Sequence, residues 1–140
     1  MRKYSIINLK AEGYERTAKV RTDPDLVLTV DFLENGEYLE GHEKSTVRKE
    51  GSVIEAPLVL DYIIDSALSE EQIGYRYISD AHIEAVVDVL EIIDEESMWV
   101  QSAIVPEKIR AEFIDAPHYK KGDRICVNGR LTLDLLWDEE

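Results

Sequence analysis

The sequence predicts a mainly β fold, either a barrel or a sandwich. Short runs rich in apolar and β-branched residues alternate with turn residues such as glycine, proline and asparagine. A hydrophobic content of 44% and an aromatic content of 8% are values typical of globular proteins. The length of 140 residues suits one ordinary domain with a core of its own. We therefore expect a single domain over residues 1–140.

The first part of the chain carries four candidate strands. Their pattern of alternating apolar residues favours extended structure, and they cover residues 4–9, 17–22, 26–33 and 52–54. Asp23-Pro24-Asp25 predicts the turn between the second and the third strand, because proline suits the second position of a turn. Residues 41–51 are polar and predict a loop.

Asn35-Gly36 predicts a hairpin after the third strand. A two-residue loop would place Glu34 opposite Glu37, which is unfavourable because the charges are alike. A three-residue loop instead pairs Phe32 with Tyr38. We expect the three-residue loop.

Residues 57–68 are predicted to form the one helix of the chain. Pro57 suits a first helical turn, and the apolar residues recur at helical spacing; they are Leu60, Ile63, Ile64, Ala67 and Leu68. The same segment also permits a strand with Leu58, Leu60, Tyr62 and Ile64 on one face. An α+β fold is therefore the alternative to a mainly β fold.

The remaining segments predict strands. Residues 81–93 fit helical and strand spacing equally, but β-branched residues dominate and favour a strand. Residues 98–104 and 109–114 predict two more. Asn128-Gly129 predicts a hairpin that pairs Ile125 with Leu131 around a three-residue loop. The last strand is predicted to end with the segment from Leu133 to Trp137.

Composition and motifs limit the classes of function. Cys126 is the only cysteine, so no disulfide can form within the chain, and a cytoplasmic protein is expected. No run approaches a membrane span and the first residues do not form a signal peptide. The chain lacks the nucleophile, phosphate-binding and metalloprotease motifs of common enzymes, so no cofactor and no catalytic residue is predicted. A small metal-dependent enzyme around His82, Glu84 and Asp88 is the third candidate function.

The net charge of −14 is concentrated in the middle of the chain. Residues 57–104 carry 11 acidic side chains and a single basic one, Arg76. Such a field favours cationic partners and repels nucleic acid and anionic membranes. The leading hypothesis is therefore a non-catalytic interaction or regulatory domain that binds a basic protein. Its candidate acidic face consists of Asp88, Glu91, Asp94, Glu95 and Glu96.

The run Lys120-Lys121-Gly122-Asp123-Arg124-Ile125, with Val127 and Gly129-Arg130-Leu131, resembles the closing hairpin of OB-fold domains. That resemblance implies a small β-barrel. It also implies a second candidate function, the binding of single-stranded nucleic acid. The side chains that the resemblance nominates are Trp99, Tyr119, Lys120, Lys121, Arg124 and Arg130. The acidity of the neighbouring segment ranks nucleic acid below a basic protein as the partner.

Overall fold

The computed structural model describes residues 1–135 of the chain. Within that range the protein is built from ten β-strands and contains no helix. The strands are β1 (Lys3–Glu12), β2 (Glu15–Thr22), β3 (Leu26–Leu33), β4 (Val53–Glu55), β5 (Leu58–Leu68), β6 (Gly74–Ser79), β7 (His82–Ile92), β8 (Ser97–Gln101), β9 (Ile109–Phe113) and β10 (Arg124–Leu133). The prediction of a mainly β fold is confirmed, and the prediction of a helix is wrong.

The chain divides into two compact units, one formed by Met1–Pro57 with the residues from Thr132, the other by Leu58–Leu131. In the first unit, the strands are ordered β4-β1-β2-β3 and each pairs antiparallel with its neighbour. Thr132, near the end of β10, pairs in parallel with Asp31 of β3. Alternate residues of β2 and β3 are buried, as expected for strands that cover a core with one face.

The loop after β3 is fastened to the turn between β1 and β2. Asn35-Gly36 does lie in a turn, closed by a hydrogen bond of 3.2 Å from the amide of Glu37 to the carbonyl of Glu34. The expected pairing of Phe32 with Tyr38 is wrong, because Phe32 pairs with Arg16 of β2. Beyond the turn, Leu39 forms its bridge with Gly13 instead.

Arg16 is the largest fully buried side chain of the described residues, although it is charged. Its Nη1 donates to the carbonyls of Gly13 and Glu15, at 2.9 and 3.1 Å. Its Nη2 donates to the carbonyl of Glu37 at 2.7 Å and to the carboxylate of the same residue at 3.3 Å. A buried guanidinium needs such partners. Arg16 therefore ties the loop after β3 to the first hairpin.

The second unit contains a closed five-stranded β-barrel. Its ring order is β10-β5-β9-β8-β7, and β7 returns to β10. The pairs β7–β8, β8–β9 and β7–β10 are antiparallel, whereas β5 and β9 run in parallel. β6 pairs with the first part of β7 and adds a strand outside the ring. The inward face is apolar, with residues such as Leu60, Ile83, Val100 and Ile125 almost completely buried.

The segment predicted as a helix is β5, and a bulge explains the error. The register between β5 and β9 shifts between Leu60 and Ile63, and Tyr62 between them has a positive φ of 51°. Leu58 and Leu60 face inward, and the extra residue makes Ile63, instead of Tyr62, the next inward-facing position. A bulge of this kind inserts one residue into the two-residue repeat of a strand. The resulting spacing of three imitates the apolar face of a helix.

The hairpin predicted at Asn128-Gly129 is absent, because β10 runs straight through these residues. Gly129 pairs with Ile83 of β7. A Cβ atom on Gly129 would lie 2.7 Å from the carbonyl oxygen of Asp61 and 3.0 Å from Cγ1 of Ile63. Glycine here permits close approach of a neighbouring strand and does not form a turn. The predicted pairing of Ile125 with Leu131 is therefore wrong.

Three other predicted strands agree with the structure. Residues 81–93 contain β7, residues 98–104 contain most of β8, and residues 109–114 contain β9. The last strand ends earlier than predicted, because β10 ends at Leu133 and Asp134 and Leu135 lie in no strand; Trp137 lies outside the described residues. Within residues 1–135, no helix is long and apolar enough to cross a membrane.

Candidate functional site

The outer face of β7, β8 and β9 carries a row of polar and aromatic side chains. Trp99 of β8 pairs with Glu91 of β7 on one side and with Arg110 of β9 on the other. Directly paired residues of neighbouring strands project from the same face of a sheet. These side chains therefore lie next to one another, beside the turn that joins β7 to β8.

A groove of about 530 Å³ opens at this place. We call it the acidic groove, and it is lined by Ile93, Asp94, Glu95, Glu96, Ser97, Trp99, Arg110 and Glu112. Four of these eight residues are carboxylic acids and one is a cation. The predominance of carboxylates favours a cationic ligand over an anionic one.

The turn beside the groove is held by its own hydrogen bonds. The carboxylate of Asp94 accepts a hydrogen bond from the Ser97 hydroxyl at 2.7 Å and another from the Glu96 amide at 2.9 Å. The hydrogen bond from Ser97 is the main reason why the pKa of Asp94 is lowered, and the charge of Arg110 acts in the same direction. Asp94 thus fixes the turn, and the side chains of Glu95 and Glu96 stay exposed at its tip.

The carboxylates around the groove differ in how they are partnered. Glu112 forms an ion pair with Arg110, with Nε and Oε1 2.6 Å apart, and Asp94 is held within the turn. The side chains of Glu91, Glu95 and Glu96 form no ion pair with any other residue in the range 1–135. These three exposed acids are free to receive a cation from outside.

Trp99 supplies the aromatic surface of the groove. The Nζ atom of Lys108 lies 4.6 Å from the centroid of the indole ring, within the range of a cation–π interaction. The indole is half-buried, whereas Lys108 is exposed. Trp99 thus lines the groove beside the exposed carboxylates of Glu95 and Glu96, and its ring also contacts Lys108, which is not among the lining residues.

The structure brings most of the predicted acidic face to this one place. Asp94, Glu95 and Glu96 line the groove, and Glu91 lies opposite Trp99. Asp88 belongs elsewhere, since its carboxylate accepts two hydrogen bonds from Arg124, at 2.7 and 3.1 Å.

The side chains nominated for nucleic-acid binding belong to β8, to the segment before β10 and to β10 itself. Arg124 is engaged by Asp88 and also donates to the carbonyl of Glu71 at 3.2 Å. Asp88 is the main cause of the raised pKa of Arg124. Arg130 is exposed on β10, opposite His82.

Three further residues of that nominated set lie outside the groove. Tyr119 donates its hydroxyl to Ser66 at 2.8 Å and packs beside Phe113. Lys120 and Lys121 are exposed and precede β10. Of the nominated side chains, only Trp99 lines the groove.

The third candidate site, around His82, Glu84 and Asp88, is occupied by ion pairs. Glu84 pairs with Arg76 at 3.2 Å, and Asp88 pairs with Arg124. Over residues 1–135, no group of three or more histidine, cysteine, aspartate or glutamate side chains has the arrangement of a metal site.

Sequence reasoning missed Lys108, Arg110 and Glu112. The alternation of Ile109, Ala111 and Phe113 predicts that Arg110 and Glu112 face outward from their strand. Which neighbour they would meet depends on the register between β8 and β9, and no local pattern fixes that register.

Comparisons with protein-family models, with curated proteins and with solved structures find no match to this chain.

Proposed function

We propose that this protein is a non-catalytic interaction domain that binds a basic segment of a partner protein in the acidic groove. One observation carries the proposal. Exposed carboxylates without an ion pair lie near Trp99: Glu95 and Glu96 line the same groove, and Glu91 pairs with Trp99 across the neighbouring strand. Carboxylates provide attraction at a distance and aromatic rings provide contact for cations.

The net charge supports the same conclusion. With a total of −14, the chain attracts basic partners over a distance of about a Debye length, roughly 8 Å at physiological ionic strength. Steering of this kind accelerates association and selects partners by charge. Binding is therefore expected to weaken as salt is added.

We further propose that the barrel is an OB barrel with a circularly permuted strand order. OB barrels close in the order first, second, third, fifth and fourth strand, and the third and fifth run in parallel. Counting from β7, with β5 taken last, the present ring follows that order, and its parallel pair β5–β9 falls in the matching position. OB domains bind ligands on their second and third strands and the adjoining loop. Those elements correspond to β8, β9 and the turn beside the acidic groove.

Binding of single-stranded nucleic acid is the second candidate function. The permuted OB order and Trp99 favour it, since OB domains stack bases on aromatic side chains. The carboxylates that line the groove oppose it, because they would repel phosphates. We therefore rank it below a basic protein partner.

Calorimetric titration with a short end-blocked peptide rich in lysine and arginine tests the leading proposal. We expect measurable binding at low salt. The Glu95→Gln, Glu96→Gln double variant should bind about five- to tenfold more weakly, since each exposed ion pair contributes up to about 1 kcal/mol.

A matched control separates the groove from overall charge. The Asp65→Asn, Glu70→Gln double variant removes the same two charges at exposed positions that do not line the groove. It should bind the peptide almost as tightly as the unchanged protein. Equal losses of peptide affinity in both double variants would contradict the proposal that the groove is the binding site. Tighter binding of a single-stranded oligonucleotide than of the peptide would reverse the ranking of the two functions.

A further inference from the structure

β6 has one unpaired edge, and that edge lacks the usual protection. Within residues 1–135, β6 pairs with β7 alone and is the last strand in the order of its sheet. Proteins commonly block such edges with lysine, proline or a bulge. The stretch from Gly74 to Tyr77 contains neither lysine nor proline, and its register with β7 becomes irregular only after Tyr77. Its one charged residue, Arg76, is bound to Glu84 of β7 at 3.2 Å, on the side away from the free edge.

The register of β7 shows where a further strand would lie. Asp88 pairs with Arg124 of β10 on one side and with Gln101 of β8 on the other. Residues 82–86 pair with β10 on one side and with β6 on the other. β6 and β8 therefore lie end to end along the same edge of β7. Because β9 is the next strand after β8, a chain that paired with the free edge of β6 would continue the row of β9. Residues 76–79 of β6 are all exposed.

We propose that the free edge of β6 binds an extended segment of a partner protein by strand addition, and that this segment is basic at its ends. Every second residue of an unpaired edge directs its amide and carbonyl groups outward, and these groups bind the main chain of the added strand. Tyr75 and Tyr77 lie on one face of β6, with ring centroids 6.1 Å apart, and offer contact to apolar side chains on that face. None of these residues lines the acidic groove, so the inference goes beyond the proposed function.

Charge decides which occupant the edge favours. Glu71 precedes β6 and Asp80 follows it, and both are exposed. Arg76 is the only cation of residues 57–104, and Glu84 already pairs with it. A second copy of the chain would bring the same carboxylates, and a further net charge of −14, against this edge. Like charges repel, whereas a segment with lysine or arginine at its ends is attracted. A basic segment is therefore favoured over self-association.

The pairing is tested by titrating the full chain with an end-blocked peptide that alternates valine and threonine and has a lysine at each end. Amide exchange followed by NMR should show new protection of the outward-facing amides between Gly74 and Tyr77. Two methylated peptides serve as a matched pair. Methyl groups on the peptide amides that face β6 remove its donors and should weaken binding about tenfold or more, whereas methyl groups on the other alternate amides should leave the affinity unchanged. Equal affinities of the two methylated peptides would overturn strand addition.

Two controls test the occupant and the location. A peptide with glutamate in place of both lysines should bind about tenfold more weakly, and equal affinity would overturn the assignment of a basic segment. Glu95→Gln, Glu96→Gln should bind the lysine-ended peptide almost as tightly as the unchanged protein, because the groove is a separate surface.

Three further results would overturn the inference. They are an absence of protection in β6 at millimolar peptide, protection confined to the acidic groove, and protection of β6 by dimerisation of the chain alone in sedimentation experiments. None of them decides the proposed function, which is tested at the groove.

Discussion

Two acidic regions of this chain differ in whether their carboxylates have partners. In the loop after β3, Glu34 accepts hydrogen bonds from Arg48 at 2.7 Å, and Glu37 is bonded to Arg16 and to the hydroxyl groups of Ser45 and Thr46. Both carboxylates are mostly covered, with 8% and 13% of the side chain exposed.

By contrast, Glu95 and Glu96 of the acidic groove, and Glu91 opposite Trp99, are exposed and form no ion pair with the described residues. The difference shows how identical side chains serve two purposes. Partnered carboxylates stabilise the folded chain, because breaking them leaves buried polar groups unsatisfied. Unpartnered carboxylates contribute little to folding and remain available to a ligand. The loop after β3 should therefore govern stability, and the groove should govern binding.

The largest expected effect belongs to Arg16→Met. The change removes the hydrogen bonds that Arg16 donates to the carbonyls of Gly13, Glu15 and Glu37, and it should lower the free energy of unfolding by about 3 kcal/mol. Urea denaturation measures the loss. Arg21→Met on the same strand is the control, since Arg21 is 61% exposed and lies 4.0 Å from Asp25. Equal losses in both variants would remove the distinction between the two regions.

An intermediate effect is expected from acid. Hydrogen bonding from Thr46 is the main cause that lowers the pKa of Glu37 to about 2, from an ordinary value of 4.5. Because the folded pKa is depressed, the stabilisation is complete above the unfolded pKa and is lost as the pH falls through about 2. The unchanged protein should therefore lose its advantage in free energy of unfolding over Glu37→Gln between roughly pH 5 and pH 2. Urea denaturation of both proteins at several pH values checks this prediction. A difference in their free energies of unfolding that stayed constant with pH would contradict it.

The smallest effect on stability is expected in the groove. Glu95→Gln, Glu96→Gln should leave the urea midpoint unchanged, because these exposed carboxylates form no ion pair within residues 1–135. At most, the urea midpoint should rise slightly, because the variant has less repulsion between neighbouring acids. A clear loss of stability would mean that these residues hold the fold together, and the contrast with the loop after β3 would disappear.

The strands were predictable from the sequence wherever one local pattern dominated. β3 has the predicted bounds of residues 26–33, since alternation and flanking turn residues agree there. β5 and β10 were misread because the decisive contacts are remote in sequence. The bulge at Tyr62 and the close approach of Asp61 to Gly129 belong to the pairing of distant strands. The sequence did contain evidence for a single strand at β10. Its apolar residues alternate without a break, with Gly129 at one of the inward positions: Ile125, Val127, Leu131 and Leu133.

The sequence indicated the negative charge of the candidate site, but it did not show which residues meet there. The concentration of acids nominated residues 94–96 as part of a binding face, which stays a prediction, and the structure places these residues along the groove. The same reasoning grouped Asp88 with them and Arg124 with a separate basic surface, although these two side chains bind each other. Sequence proximity shows which charges are available. The register of β7 against β10 decides which of them neutralise one another.

The ring order of the barrel has a consequence for how the chain folds. β10 is the last strand of residues 1–135, yet it lies between β5 and β7, so the ring stays open until residues 124–131 are available. Contacts between segments so distant in sequence lose much chain entropy before they gain any stabilisation. We therefore expect this unit to fold slowly, on the scale of milliseconds to seconds, and only after its final strand has been synthesised.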